Sequence, residues 1–140
     1  MMTYVIQPLD RSTLAATSQL VDGVFPHQRW WETARWALAL SLQPNFVARP
    51  LLAFVGIRWC RYWTAVDDDG AVIGVSGFYR RLFETDAAWV GWTCVDPRAR
   101  GGGIGKQLIE RDVDETRSLG LPRLKLYTTD LPEQAAAVRL

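Results

Sequence analysis

The stretch CVDPRARGGGIGKQLIERDVDE, residues 94–115, constrains the fold more than any other part of the chain. It sets glycines at 101, 102, 103 and 105 between an apolar, strand-like segment and an amphipathic helix. The apolar positions of that helix are Ile104, Leu108, Ile109, Val113, Thr116 and Leu119. A helix start leaves several amide donors unpaired and carries the positive end of the helix dipole. Glycines remove the β-carbons that would hold a ligand off those amides, and Arg98, Arg100 and Lys106 add charge on the same side. A single glycine would suffice to cap a helix. The array therefore predicts an anion site, and several consecutive amides suit a pyrophosphate.

The flanking segments say what kind of domain carries this loop. Residues 3–7, TYVIQ, read as a strand ending at Pro8. A first helix follows, with Asp10 or Ser12 as its cap and Gly23 near its end. A second helix is predicted after Pro26, with Trp30, Ala34, Leu38 and Leu42 at four-residue spacing. Residues 45–61 fit either a helix extension or a loop running into strand. From residue 61 the period changes: RYWTAV, AVIGVSGFYRR and AAWVGWTCV are joined by the short turns DDDG and ETD, which predicts a three-stranded antiparallel meander. After the glycine loop and its helix, RLKLYTT predicts a strand parallel to its predecessor, and Pro132 opens a last helical segment. The expected architecture is one mixed α/β domain covering residues 1–140.

Two common phosphate motifs do not fit. A P-loop requires glycine where Arg100 stands and Ser or Thr where Gln107 stands. The dinucleotide fingerprint requires a third glycine at Lys106 or at Leu108, depending on where it starts. What does match is RxxGxG, read as Arg100, Gly103 and Gly105, after VDP and ahead of a helix and a strand. At these residues the chain resembles the GNAT N-acetyltransferases, a family that binds acetyl-CoA through this motif. The resemblance covers nearly the whole chain, with AVIGVSGFYR similar to the third family strand and LKLYTTDLPEQAAAVRL to the fifth strand and the helix after it.

The resemblance implies an acyl-CoA N-acyltransferase (GNAT) fold and a reaction in which acetyl-CoA donates directly to an amine. The backbone from Arg100 through Gly101, Gly102, Gly103, Ile104 and Gly105 to Lys106 would cradle the pyrophosphate. The backbones of Cys94 and Val95 would pair with pantetheine, with Val95 polarising the thioester carbonyl. The meander offers no carboxylate from residue 87 to residue 95, so the candidate bases are water, Glu84, Glu32, His27 or Tyr79. His27, Trp31 and Asp130 are candidate acceptor-site residues. The helix after the fifth family strand would carry a thiol-protonating tyrosine one place beyond Leu140. The family's two final strands are also missing, so the expectation is a longer protein or an edge completed by a partner chain, a homodimer included.

Charge and composition limit the rest. Sixteen basic against 15 acidic residues give a net charge of +1, which offers no general attraction for nucleic acid. Cys60 and Cys94 stand too far apart in sequence for a CxxC motif, and no metal site is expected. Two cysteines do not make a disulfide scaffold, so a reducing cytoplasm is expected, and the most apolar tract, residues 46–59, is interrupted by Arg49, Pro50 and Arg58, so no membrane segment is expected. The aspartates before Gly70 read as a hairpin turn rather than a cation site. The expected function is an acetyl-CoA-dependent N-acetyltransferase acting on a primary amine. The alternatives are a non-catalytic acyl-CoA-binding module and a nucleotide-phosphate binder.

Overall fold

The computed structural model describes residues 3–26 and 34–126. His27, Trp30, Trp31, Glu32, Asp130 and the segment containing Pro132 lie outside those residues.

Six strands form one sheet: β1 (Tyr4–Pro8), β2 (Ile57–Asp67), β3 (Val72–Arg81), β4 (Ala87–Val90), β5 (Cys94–Val95) and β6 (Arg123–Lys125). Their order is β1-β2-β3-β4-β6, and β5 continues β4 along the edge of β3. The pairs β2–β3 and β3–β4 are antiparallel, as the meander predicts, β1 adds antiparallel to the other edge of β2, and β4 pairs with β6 in parallel. Pro8 is the last residue of its strand, where its missing N–H costs no ladder bond. The DDDG turn forms as expected. Asp67 Oδ1 accepts from the amides of Asp69 and Ala71, each at 2.9 Å, and Gly70 supplies the positive φ of 81°.

Helices cover both faces. On one face lie α1 (Leu14–Val24), α2 (Ala34–Ser41) and α3 (Asn45–Ala53). Val21, Leu38 and Leu52 bury there against Cys60, Tyr62, Val75 and Cys94. The Asp10 carboxylate accepts from the amides of Ser12 and Thr13 just ahead of α1. On the other face α4 (Ile104–Ser118) packs Ile104 and Leu108 over Ala65 and Ile73. Each such side chain contributes about 2 kcal/mol by leaving water. Residues 45–61, ambiguous in sequence, are a helix followed by strand. Pro50 sits inside α3 and gives up one helical bond, and Gly56, at φ 76°, makes the turn into β2. β2 therefore starts four residues earlier than its sequence pattern suggests.

The segment AAWVGWTCV, expected as one strand, is two. Val90 pairs with Phe78 and Gly91 donates to the Gly77 carbonyl at 2.8 Å, whereas Cys94 pairs with Val75 and Val95 with Gly74. Trp92 and Thr93 thus stand opposite the single residue Ser76, which is a β-bulge. The glycines beside it are required by packing. A β-carbon on Gly77 would come within 2.2 Å of the Arg61 carbonyl, and one on Gly91 within 2.6 Å of the Tyr62 hydroxyl.

Candidate functional site

The bulge and the glycine loop are the two ends of one feature. After Val95, the Asp96 carboxylate accepts from the Arg98 amide at 3.0 Å and caps a short 3-10 turn over residues 97–99. Gly101 and Gly103 then take φ of 89° and 81°, a region costly for any residue with a β-carbon. Gly103 is the N-cap of α4 and offers no side-chain oxygen, and the first turn contains no acidic residue. Gln107 is the first amide of the helix to bond back, reaching the Gly103 carbonyl at 3.1 Å. The amides of Ile104, Gly105 and Lys106 are left as free donors at the positive end of the dipole.

Gly102 and Gly105 are informative in another way. Neither has positive φ, and added β-carbons would meet nothing closer than 3.8 Å and 3.6 Å respectively. The fold does not require glycine at either position. What their bareness provides is close access to the amides, which fits a pyrophosphate.

The backbone of β5 completes the geometry. Asp96 donates to the Ile73 carbonyl at 2.8 Å, so the antiparallel alternation turns Cys94 toward β3 and Val95 away from it. β6 pairs with β4 only over residues 87–89, and no described strand pairs the outer edge of Val95. The Val95 carbonyl accepts from Arg100 Nε at 3.1 Å, and its amide faces outward. Of the two backbones expected to meet the pantetheine arm, Val95 is therefore the one presented and Cys94 is spent on the ladder. The Cys94 thiol lies in the core beneath α1 and α2, and burial pushes it up to about 12, which rules it out as a thiolate nucleophile.

Of the candidate bases, Glu84 is held just ahead of β4. It accepts from Trp89 Nε1 at 2.6 Å and Lys125 Nζ at 2.9 Å, and the Lys125 bond keeps its carboxyl below the usual carboxylate range. These contacts make Glu84 a clasp between the start of β4 and β6, at the opposite end of β4 from the bulge. Tyr79 is half-buried on the α1–α3 face, where with Val55, Gly56, Ile57 and Arg81 it lines a pocket of about 310 Å³. Another pocket, of about 340 Å³, lies at the free edge of β2 between Ser41, Arg61 and Arg111, away from the glycine loop. Trp36 packs against the core.

A buried carboxyl lies close behind the bulge. Asp112, on α4, is fully buried and faces Ser76 of β3, which in turn touches Thr93 in the bulge. Burial pushes the Asp112 carboxyl up to about 7, with the Ser76 hydrogen bond pulling the other way. Asp112 lies on the i, i+4 row Ile104, Leu108, Asp112, Thr116, all buried. A carboxylate in an apolar helical row was the signal available in sequence.

The family model for the Acetyltransferase (GNAT) family matches residues 25–140. The chain belongs to the GNAT acetyltransferases. Among curated proteins, an IAA acetyltransferase from Azospirillum brasilense is 36% identical over 85 residues, covering 59% of this chain and 47% of that protein. The matched part is about half of that relative's length. Among solved structures, the aminoglycoside acetyltransferase AAC(6')-Iy bound to the bisubstrate analogue CoA-S-monomethyl-acetylneamine superposes with a TM-score of 0.72. It is 17% identical and covers 98% of this GNAT chain and 87% of that one. A ribosomal-protein-alanine N-acetyltransferase from Brucella melitensis biovar Abortus gives 0.68 at 20% identity, covering 97% and 88%. At such identities these structures establish the fold. No described helix is long and apolar enough to cross a membrane.

Proposed function

We propose that this GNAT chain transfers the acetyl group of acetyl-CoA to a primary amine. The observation that carries the reading is the continuous surface formed by the bare amides of Ile104, Gly105 and Lys106 and the outward amide of Val95. The first part suits the pyrophosphate, with Arg98, Arg100 and Lys106 as nearby cations, and the second a thioester carbonyl. A backbone donor fixed in the sheet is preorganised for the charge that develops on that oxygen. Arg100 contributes by tying the loop back to the Val95 carbonyl. The acceptor would approach beside β5, whose outer edge no described strand pairs. The structural relatives are named for an aminoglycoside and for a ribosomal-protein alanine, so an amine is the shared acceptor class. The two buried free thiols fit a reducing cytoplasm.

A second reading, an acyl-CoA-binding module without turnover, draws on the strand segment from Ala87 to Val95, which has no carboxylate. Acetyl-CoA consumption measured with a broad panel of amines, beside calorimetric binding of CoA, separates the two. The proposal expects both binding and turnover. Binding with no turnover for any amine supports the second reading.

A further inference from the structure

Asp112, Ser76 and Thr93 form a single hydrogen-bonded line from the middle of α4 to the bulge. Ser76 Oγ lies 2.5 Å from Asp112 Oδ2 and 2.8 Å from Thr93 Oγ1, and Thr93 Oγ1 lies 3.1 Å from the Gly91 carbonyl oxygen. Asp112 and Ser76 are fully buried, Thr93 is half-buried, and Asp112 Oδ1 has no hydrogen-bond partner among the described residues. A leucine in place of Asp112 would fill the same helical row without the cost of desolvating a carboxyl group.

The proton count along the line is decisive. With Asp112 protonated, three protons serve three contacts: Asp112 donates to Ser76, Ser76 to Thr93, and Thr93 to the Gly91 carbonyl. With Asp112 ionised, Ser76 turns to donate to it and Thr93 turns to Ser76, which leaves the Thr93 oxygen open to accept at the bulge. The two states differ by one proton and by the direction of every donor. That reversal is the property of a relay.

We propose that Thr93, Ser76 and Asp112 take up the proton released when an amine is acetylated at the bulge; this rests on the acetyl transfer proposed above. The amine nitrogen bonds to the acetyl carbon, the carbon–sulfur bond breaks, and its electron pair leaves with sulfur as a thiolate. A proton from that nitrogen passes to Thr93 Oγ1 as the Thr93 proton moves to Ser76 and the Ser76 proton to Asp112. The carboxylate becomes a carboxylic acid, and the proton returns along the line to the thiolate. Amine and thioester thus become amide and free thiol with no proton left over. Asp112 touches no reacting atom and is a positioning residue that acts through the two hydroxyls.

The groups facing Asp112 are few. Ser76 comes from β3 and the Tyr62 phenol from β2, while Thr93 lies at the bulge. On α4 the Thr116 hydroxyl donates to the Asp112 carbonyl, and the adjacent Arg111 is 3.2 Å from Glu115, which also meets Arg61 of β2 at 3.9 Å. No ion pair to Asp112 occurs among the described residues.

The test is the pH dependence of kcat for acetyl transfer in the wild type and in Asp112→Asn, Thr93→Val and Thr93→Ser, each checked for folding and for CoA affinity by calorimetry. The wild type should lose rate as the pH falls through the Asp112 titration. Asp112→Asn and Thr93→Val should each lower kcat about a hundredfold and abolish that limb, with CoA affinity unchanged, and Thr93→Ser should restore both. Wild-type turnover with both variants keeping its kcat and pH profile overturns the relay. A silent wild type that still binds CoA contradicts the proposed function and with it the step the relay would serve.

Discussion

Ser76 Oγ and Asp112 Oδ2 lie 2.5 Å apart across the contact between β3 and α4, with no solvent reaching either residue. The contact is this close because Gly74, one strand position away on the same face, lets the helix descend. A β-carbon there would be 3.0 Å from Leu108 Cδ1 and 3.2 Å from Ile104 Cγ2. One helix therefore leaves free amides at its start, where the pyrophosphate is proposed to lie, and from its middle sets a carboxyl against Ser76, the residue opposite the bulge.

Stability should depend on pH through Asp112. Burial raises the folded-state Asp112 carboxyl from its ordinary 3.8 to about 7, so between those values the folded chain holds a proton that the unfolded chain has released. Stability attributable to this group falls as pH rises through that window and stays reduced above it. Asp112→Asn has no such dependence. Its Tm should exceed that of the wild type by roughly 5 °C or more at pH 8 and lose the advantage near pH 4. Thermal unfolding at the two pH values checks this, and an equal difference at both would count against a buried, titrating Asp112.

Gly77 and Gly91 are required by packing. Gly91→Ala drives its new carbon toward the Tyr62 hydroxyl and should cost about 1–3 kcal/mol in denaturant unfolding. Gly77→Ala meets the Arg61 backbone, which cannot rotate away, and should cost more. A Gly77→Ala protein as stable as the wild type would mean that the β2–β3 approach is looser than described.

Cys94 should behave as a buried apolar residue. With its thiol pushed up to about 12 by burial, it should resist alkylation at pH 8 until the protein unfolds, and Cys94→Ala should retain acetyl transfer. Rapid labelling of the folded protein at Cys94 would show that the thiol reaches solvent.

At the loop, stability and binding should separate. Gly105→Ala places its β-carbon in ordinary contact with Val95, 3.6 Å from Cγ2, so unfolding free energy should change by less than about 1 kcal/mol. CoA affinity should nonetheless fall about tenfold or more, because that carbon stands over the amides. Parallel unfolding and calorimetry decide it.

The meander and the glycine loop were legible because each rests on local pattern: period-two strands, short turn sequences and a run of glycines ahead of a helical period; the place of β1 beside β2 was not. The bulge between β4 and β5 was implied by the family resemblance and not by the local pattern, and the packing of Tyr62 against Gly91 beside it joins residues far apart in sequence. The beginning of β2 was hidden behind Pro50 and a mixed apolar run. Asp112 was missed because its partners, Ser76 and Thr93, come from other strands, and a helical acid ordinarily reads as solvated surface. The partners of Glu84 were not legible either, because its contact with Lys125 forms only when β6 returns beside β4.

The most direct measurement is calorimetric titration of the wild type and of Gly103→Asp with CoA. Gly103 has φ of 81° at the N-cap of α4, and an aspartate there adds bulk and negative charge at the start of the helix where the pyrophosphate is proposed to lie. The account predicts saturable 1:1 binding to the wild type and no measurable binding to a folded Gly103→Asp variant. Equal affinity in the two proteins would contradict it.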